Sequence, residues 1–505
     1  KSILKGSDFD GIRDRLTLLP LGLNAMDPHI SPDGKTLVFT ARSENHSNLY
    51  SYSLEENPKE PPVPKQLTAN ATEKGSITFS PDSKELLVLE DGQPRRITLE
   101  SGQAKPIQAT ATLDIDFNTD KVIAFNEAWS VLNRRFYDKD FHGRNWSELH
   151  DTFAPYIAGS RTPDEMRRDI NLMIGELDAS HSGISGGGST HAVKTGRLGL
   201  RFERANYEAG KGLVIREIVP LGPAAVEGSI HVGEMLVAVN GISIDDHTNL
   251  DQLLEDQVGR RVVLRIAAKD WKERDAIVQP VDSATEAGLL YRGWVEHNRA
   301  MVEKLSGGKL GYVHIADMSD HSLKQLYIDL DAQNEGKEGV VVDVRNNNGG
   351  YVNGYAIDVL SRRNYLVMTS RGEPSTPSRQ ALGQRALGLP TDLLTNESSL
   401  SDAEDFTEGY RALHLGKVVG TPTAGWIIFT SGTGLIDGSA VRLPETRVQD
   451  LRGQTMEGHP RPVDVEVVRQ PGETLEDRDS QLEKAVTVLL DQLKEQGKEQ
   501  PAATK

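Results

Sequence analysis

The stretch GVVVDVRNNNGG (339–350) constrains the fold more than any other. It reads as a buried-type strand that runs straight into a turn of asparagines and glycines. A strand apolar on both faces needs cover on both faces, which is the situation of a parallel sheet flanked by helices. KLGYVHI (309–315) is a second strand of this kind, and a helix beginning near Asp320 lies between the two. GKVVGT (416–421) and SAVRLP (439–444) add further strands, and an amphipathic helix runs from about Arg478 to Leu493. Strands and helices alternate, so the second half of the chain is expected to be an α/β core with crossover helices.

Upstream, the periodicity changes. SPDGKTLVFT (31–40) recurs 49 residues later as SPDSKELLVLE (80–90), each followed by a further strand, NLYSYSLEE (48–56) and PRRITLESG (94–102), with PKQLTAN (64–70) between. Pro-Asp-Gly and Pro-Asp-Ser set turns and alternating apolar residues follow. A multi-strand repeat of this length is the mark of a β-propeller blade. Two blades cannot close a ring, so either blades are missing or the strands pack on something else; a small module of unrelated hairpins is the alternative.

From about residue 120 the pattern is helical. Ile123, Trp129, Leu132 and Phe136 fall near one face. Thr162, Pro163 and Glu165 form a capping box ahead of the stripe Met166, Ile170, Met173, Ile174 and Leu177. SHSGISGGGS then makes a flexible exit. Residues 195 to about 283 are β-rich again. GRLGLRFE followed by GLVIREIVPLGPAAVEGSIHVGEMLVAVNG resembles a PDZ domain, with RLGL (197–200) in place of the loop whose amides bind a peptide carboxylate. A PDZ fold used only as a spacer or lid is the other reading.

At 505 residues the chain is too long for one core. The expected division is blades over 1–118, a helical cap over 119–194, a PDZ domain over 195–285, an α/β core over 286–494 and a solvated tail over 495–505. The fold class is thus multidomain α+β. The formal net charge of −17 argues against nucleic-acid binding and against adsorption to an anionic membrane. No run approaches a membrane span. The chain has no cysteine, which removes thiolate metal sites and cysteine nucleophiles. With no HExxH and no GxxxxGK either, no metal or cofactor is expected, and serine chemistry moves up.

That chemistry needs a hydroxyl, a base, an orienting group and two oxyanion donors. In NESSLSDAEDF (396–406) a strand hands over to a helix, whose first amides favour negative charge. Ser401 is the candidate nucleophile and the Asp402 amide a candidate donor; by spacing alone, Ser398, Ser399 or Ser401 serves equally as a helix cap. Gly349, in the turn after the strand, offers a second amide. His181, on the polar exit from its helix, is the candidate base. Glu457, in GQTMEGHPRP, is a candidate orienter. Glu404 and Asp405 hint at basic substrate side chains, or simply favour the helix N-terminus.

FNEAWSVLNRRFYD, GELDASHSG, the PDZ segment, KLGYVHIADM, VVVDVRNNNGG, TNESSLSD, VVGTPTAG and MEGHPRPVDVEV occur in one order. Together they resemble tricorn protease and its bacterial tricorn-like homologues, of the carboxyl-terminal-processing serine peptidase superfamily, over roughly residues 120–492. The resemblance implies a Ser-His-Ser-Glu tetrad of Ser401, His181, Ser180 and Glu457, with the amides of Gly349 and Asp402 as the oxyanion hole and an acyl-enzyme on the path. It selects Ser401 among the three serines.

Two departures from the family pattern stand out. Asn348 replaces the first glycine of the usual NGGG, which leaves Gly350 as an alternative to Gly349. Related tail-specific proteases place a lysine base about 25 residues after the serine, where this chain has Trp426, which cannot act as a base. Lys417 is nearer but at the wrong spacing. The resemblance further implies peptide substrates, a toroidal homo-oligomer and a cytoplasmic setting. The chain opens at Lys1 without a methionine or signal pattern, so its natural N-terminus is expected to be missing and a periplasmic setting stays open. The rival functions are a non-catalytic scaffold that binds peptides in the PDZ groove and a hydrolase of a non-peptide ester.

Overall fold

The structure is a computed structural model that describes residues 11, 16–43, 46–55, 61–70, 72–108, 114–186 and 194–499. Residues 187–193 of the polar exit and 500–505 of the tail lie outside the described residues. The chain separates into two compact units at Ile115/Asp116.

The first unit holds two four-stranded antiparallel sheets, one for each copy of the repeat. The repeat is legible down to single hydrogen bonds. Ser31 Oγ donates to Asp33 Oδ1 at 2.5 Å and accepts the Thr36 N–H at 2.9 Å; Ser80 Oγ donates to Asp82 Oδ1 at 2.7 Å and accepts the Glu85 N–H at 2.9 Å. Each side chain thus closes the turn that the Ser-Pro-Asp spacing predicts. Val38 and Leu49 of the first sheet pack with Leu86, Val88 and Ile97 of the second. Among the described residues the two sheets do not close into a ring.

The second unit opens with three helices, α1 (Phe117–Arg135), α2 (Trp146–Gly159) and α3 (Pro163–Gly175). The α3 stripe is buried as expected, and Thr162 Oγ1 accepts the Glu165 N–H at 3.2 Å. Glu165 reaches back one residue further than a capping box requires, to the N–H of Arg161 at 2.7 Å. Of the expected face of α1, Leu132 and Phe136 are buried and Trp129 packs against the same core, while Ile123 departs from it. The buried residues of α1 are Lys121, Ala124, Phe125, Ala128 and Leu132, and Ile123 is exposed. Two alanines one turn apart let α2 and α3 approach closely, so small residues rather than large ones mark the contact face. Lys121 is tolerated there because its ammonium donates to the carbonyls of Ala158 and Ser160 at 2.8 and 2.9 Å.

After the short strand β1 (Gly183–Ser185) come the five main strands of the PDZ domain, antiparallel from Leu200–Phe202 to Glu273–Val278. Then follow α4 (Ser283–Ser306), β2 (Leu310–His314), α5 (Asp320–Asn334), β3 (Gly339–Asp343), α6 (Asn353–Ser361), β4 (Thr391–Thr395), α7 (Asp402–Ala412), β5 (Val418–Gly420), β6 (Ile428–Gly434), β7 (Ala440–Arg447), β8 (Val465–Glu466) and α8 (Ser480–Glu499). The core sheet has the order β2-β3-β4-β5-β8 and all its pairs are parallel. β2, β3 and β4 are buried along their whole length. Val340, Val342 and Leu393 point to the α5, α6 and α7 side, while Val341 and Leu394 point to the α4 and α8 side. That two-sided cover is what the unbroken apolar run demands.

SAVRLP forms β7, but outside this sheet. β7 pairs antiparallel with β6 on one side and with β1 on the other. Val441 and Leu443 of β7 and Ile184 of β1 pack into the core of the three helices. The hairpin that follows the parallel sheet therefore binds the helical segment to the sheet. Among the described residues no helix is long and apolar enough to cross a membrane.

Candidate active site

The turn between β4 and α7 separates the three serines. Ser399 is fully buried; its hydroxyl donates to the Val344 carbonyl at 2.8 Å and accepts the Asn396 N–H at 3.1 Å. Ser398 donates its N–H to Asn396 Oδ1 at 3.2 Å. Ser401 stands at the N-cap position of α7, yet its side chain makes no capping bond, and its backbone has φ 58° and ψ −129°. A left-handed φ in a non-glycine residue is strained and persists only where surroundings hold it. Here the Ser401 N–H donates to the Trp426 carbonyl at 2.9 Å, and its carbonyl accepts the Glu404 N–H at 2.7 Å.

Gly349 lies against this serine. It has φ 85°, and a Cβ there would stand 2.8 Å from both Ser401 Oγ and the Asp402 nitrogen. Only glycine fits the turn and the approach together. The Asp402 N–H has no acceptor among the described residues, as expected for the first amide of a helix. The two glycine amides differ. The Gly349 N–H donates to Asn347 Oδ1 at 2.9 Å, and buried Asn347 is fixed in turn by donating to the Ile315 carbonyl at 2.8 Å. The Gly350 N–H has no acceptor among the described residues, and the carbonyl of the same peptide unit accepts the Met318 N–H at 2.8 Å.

His181, Ser180 and Glu457 come together across 277 residues. Glu457 Oε1 accepts the Ser180 N–H at 2.7 Å, and Oε2 accepts the Ser180 hydroxyl at 3.0 Å. Ser180 Oγ lies 2.6 Å from His181 Nδ1. A hydroxyl has one proton to donate, and Glu457 receives it. Nδ1 therefore carries the proton of its own bond to Ser180, which leaves the Nε2 lone pair free. Burial, and next the charge of Arg442, push His181 down to about 4, so the imidazole is neutral at neutral pH.

The link between this group and Ser401 is one peptide unit. Trp426 offers its carbonyl to the Ser401 N–H, and the next N–H, of Ile427, donates to Glu457 Oε2 at 2.8 Å. Glu404 holds the same segment from beneath. Its buried carboxylate accepts Thr423 Oγ1 at 2.7 Å, the Gly425 N–H at 2.9 Å and the Trp426 N–H at 2.6 Å. Trp426, at the position of a lysine base in the related proteases, exposes its ring. Lys417 is level with Asp392, to which its N–H donates at 3.0 Å, at the amino end of the strands and away from the turn that carries Ser401.

Sequence reasoning missed several of these roles. Glu404 anchors a loop, so it is not free to meet a substrate cation. The Asp402 carboxylate accepts the N–H and side-chain amide of Asn353, and so caps α6, whose own N-cap residue is Val352. Glu408 pairs with Arg461 at 3.3 Å. Of the four acids on α7 only Asp405 has no partner among the described residues; burial, with Asp402 and Glu404 beside it, pushes it up to about 7. Such pairings join residues far apart in sequence, and no local pattern announces them.

Comparison with known proteins agrees with this architecture. Residues 119–175 match the Tricorn protease C1 domain, 189–262 the PDZ domain, and 309–467 Peptidase family S41. The chain is tricorn-protease-like. It is 31% identical to Tricorn protease homolog 1 of Streptomyces coelicolor over 384 residues, 74% of this chain and 35% of that protein. It is 26% identical to the Tricorn protease of Thermoplasma volcanium over 424 residues, 81% of this chain and 40% of that protein. A crystal structure of the tricorn protease superposes with a TM-score of 0.77 at 22% identity, covering 91% of this chain and 46% of that one, which shows a shared fold. The tricorn-like chain thus spans less than half the length of these relatives.

Proposed function

We propose that this tricorn-like chain is a serine peptidase that cleaves peptides or unfolded polypeptides through an acyl-enzyme on Ser401. The observation that carries the reading is the Trp426–Ile427 peptide unit, which ties the strained serine to Glu457, Ser180 and His181. His181 Nε2 takes the Ser401 proton as Oγ attacks the peptide carbonyl, then gives it to the leaving amine; water deacylates by the reverse route. Ser180 and Glu457 keep the proton on Nδ1 and stabilise the imidazolium as it forms. The oxyanion forms beside Gly349. Its donors are the Asp402 amide and, of the two glycine amides, that of Gly350, because the Gly349 N–H is engaged by Asn347.

In this reading the base lies in the helical segment 119–194 and the nucleophile in the core 286–494, with blades over 1–118 and a PDZ domain over 195–285. A panel of fluorogenic peptides and simple esters tests it. Wild type is expected to cleave peptides, with Ser401→Ala and His181→Ala each losing all but about a thousandth of the rate. Full peptide cleavage by Ser401→Ala would contradict the assignment. Ester hydrolysis without peptide hydrolysis would favour the esterase instead.

A further inference from the structure

β7 carries two arginines, and their surroundings differ. Arg447 pairs with Asp138 at 3.4 Å and lies over the Tyr137 ring. Arg442 has no carboxylate partner among the described residues. Its Nε donates to the Thr430 hydroxyl at 3.2 Å, and that is its one side-chain hydrogen bond among them. Val441 and Leu443 pack into the core of the three helices, so Arg442, between them, points to the opposite face of the sheet, where it is exposed. The residues directly across from it are both glycines, Gly432 on β6 and Gly183 on β1. Residues paired across strands share a face, so no opposing side chain stands beside Arg442 on either neighbouring strand.

This open cation lies by the candidate base. Gly183 follows His181 by two residues, and the charge of Arg442 acts on the imidazole. Proton transfer from Ser401 would make an imidazolium there, and a like charge nearby disfavours it. Left unpaired, Arg442 therefore opposes the chemistry it adjoins. A substrate carboxylate set against Arg442 would remove that opposition. The chain as a whole, with a formal net charge of −17, repels acids, so a local cation is what an acidic ligand needs in order to be held.

We propose that Arg442 is a specificity-determining residue that receives an acidic side chain of the peptide substrate next to His181. The inference rests on the peptidase reading above. The Thr430 bond fixes Nε and leaves both terminal nitrogens to the ligand, and a guanidinium fork matches a carboxylate. Once paired, the carboxylate anchors the peptide and offsets the charge that opposes the imidazolium. The gain is then expected in kcat as well as in KM. The substrate class is thus a peptide with Asp or Glu within a few residues of the scissile bond.

A charge scan of one cleaved peptide tests this, with its C-terminus amidated so that side chains are its only carboxylates. Glu, Gln and Lys are placed in turn at each of three positions on either side of the cut. At one position or more the wild type is expected to favour Glu over Gln by about five- to tenfold in kcat/KM, the worth of one charged pair at a partly exposed site, and Gln over Lys. Arg442→Gln is expected to bring the three peptides within about twofold of one another, and Arg442→Glu to invert their order. No preference for Glu at any position, a preference that survives in Arg442→Glu, or one that appears only when the C-terminus is left free would overturn the role of Arg442. Cleavage of the parent peptide would still uphold the peptidase. Failure to cleave any parent peptide would overturn both.

Discussion

Ser401 differs from its neighbours in what its backbone is made to do. Ser399 is tied to Val344, whereas Ser401 is held at a positive φ against a glycine that admits no side chain. Gly349→Ala is therefore expected to reduce kcat by at least about 100-fold, the loss typical of a damaged oxyanion site, with the fold intact by circular dichroism. His181 supplies a second expectation. Burial and Arg442 both disfavour the imidazolium, so the free enzyme should lose kcat/KM only as pH falls through about 4. Arg442→Gln removes one of those effects, so the acid limb of its pH profile is expected to move upward; an unmoved limb would show that the limb reports another group. Ser401 is singled out as the candidate nucleophile in the sequence only through the ordered set of motifs, because caps and nucleophiles share residue types and spacing. The geometry that separates them depends on Trp426 and Gly349, 25 and 52 residues away.

Among the elements, those with a clean period were legible. The α3 stripe, the blade turns and the apolar strands β2 and β3 all form where the residues predict. The face of α1 was legible at Leu132 and Phe136 but not where Ala124 and Ala128 make the contact, because alanines carry little hydrophobic signal. The sheet of β6, β7 and β1 was invisible for a different reason. β1 is three residues long, too short for any period, and its partner lies more than 250 residues away. Asp392 shows how one element reports on another. It lies on β4, fully buried, with Oδ1 accepting Gln492 of α8 at 2.7 Å and Oδ2 without a partner among the described residues. Burial pushes its carboxyl up to about 7 from 3.8. The folded state therefore holds this proton more tightly than the unfolded chain does. The stability it confers is full below about pH 4 and is lost as pH rises towards 7, with ~4 kcal/mol as an upper bound. Asp392→Asn is expected to flatten that part of the stability–pH curve, measured by denaturant unfolding between pH 4.5 and 7.5.

At the scale of the whole molecule, two compact units share one chain: a pair of four-stranded sheets, and a larger body in which helical segment, PDZ domain and parallel sheet follow one another. The candidate site residues all lie in the larger unit, where a hairpin leaving the parallel sheet packs into the three helices that precede His181. The candidate base His181, through Ser180 and Glu457, and the candidate nucleophile Ser401, 220 residues away in sequence, are thereby linked to adjoining residues, Ile427 and Trp426. That fastening is the central claim, and reaction with a fluorophosphonate followed by peptide mass mapping tests it most directly. One adduct per chain is expected, on Ser401, abolished in His181→Ala and strongly slowed in Glu457→Gln. An adduct on Ser398, Ser399 or any other residue, with Ser401 unmodified, would contradict it.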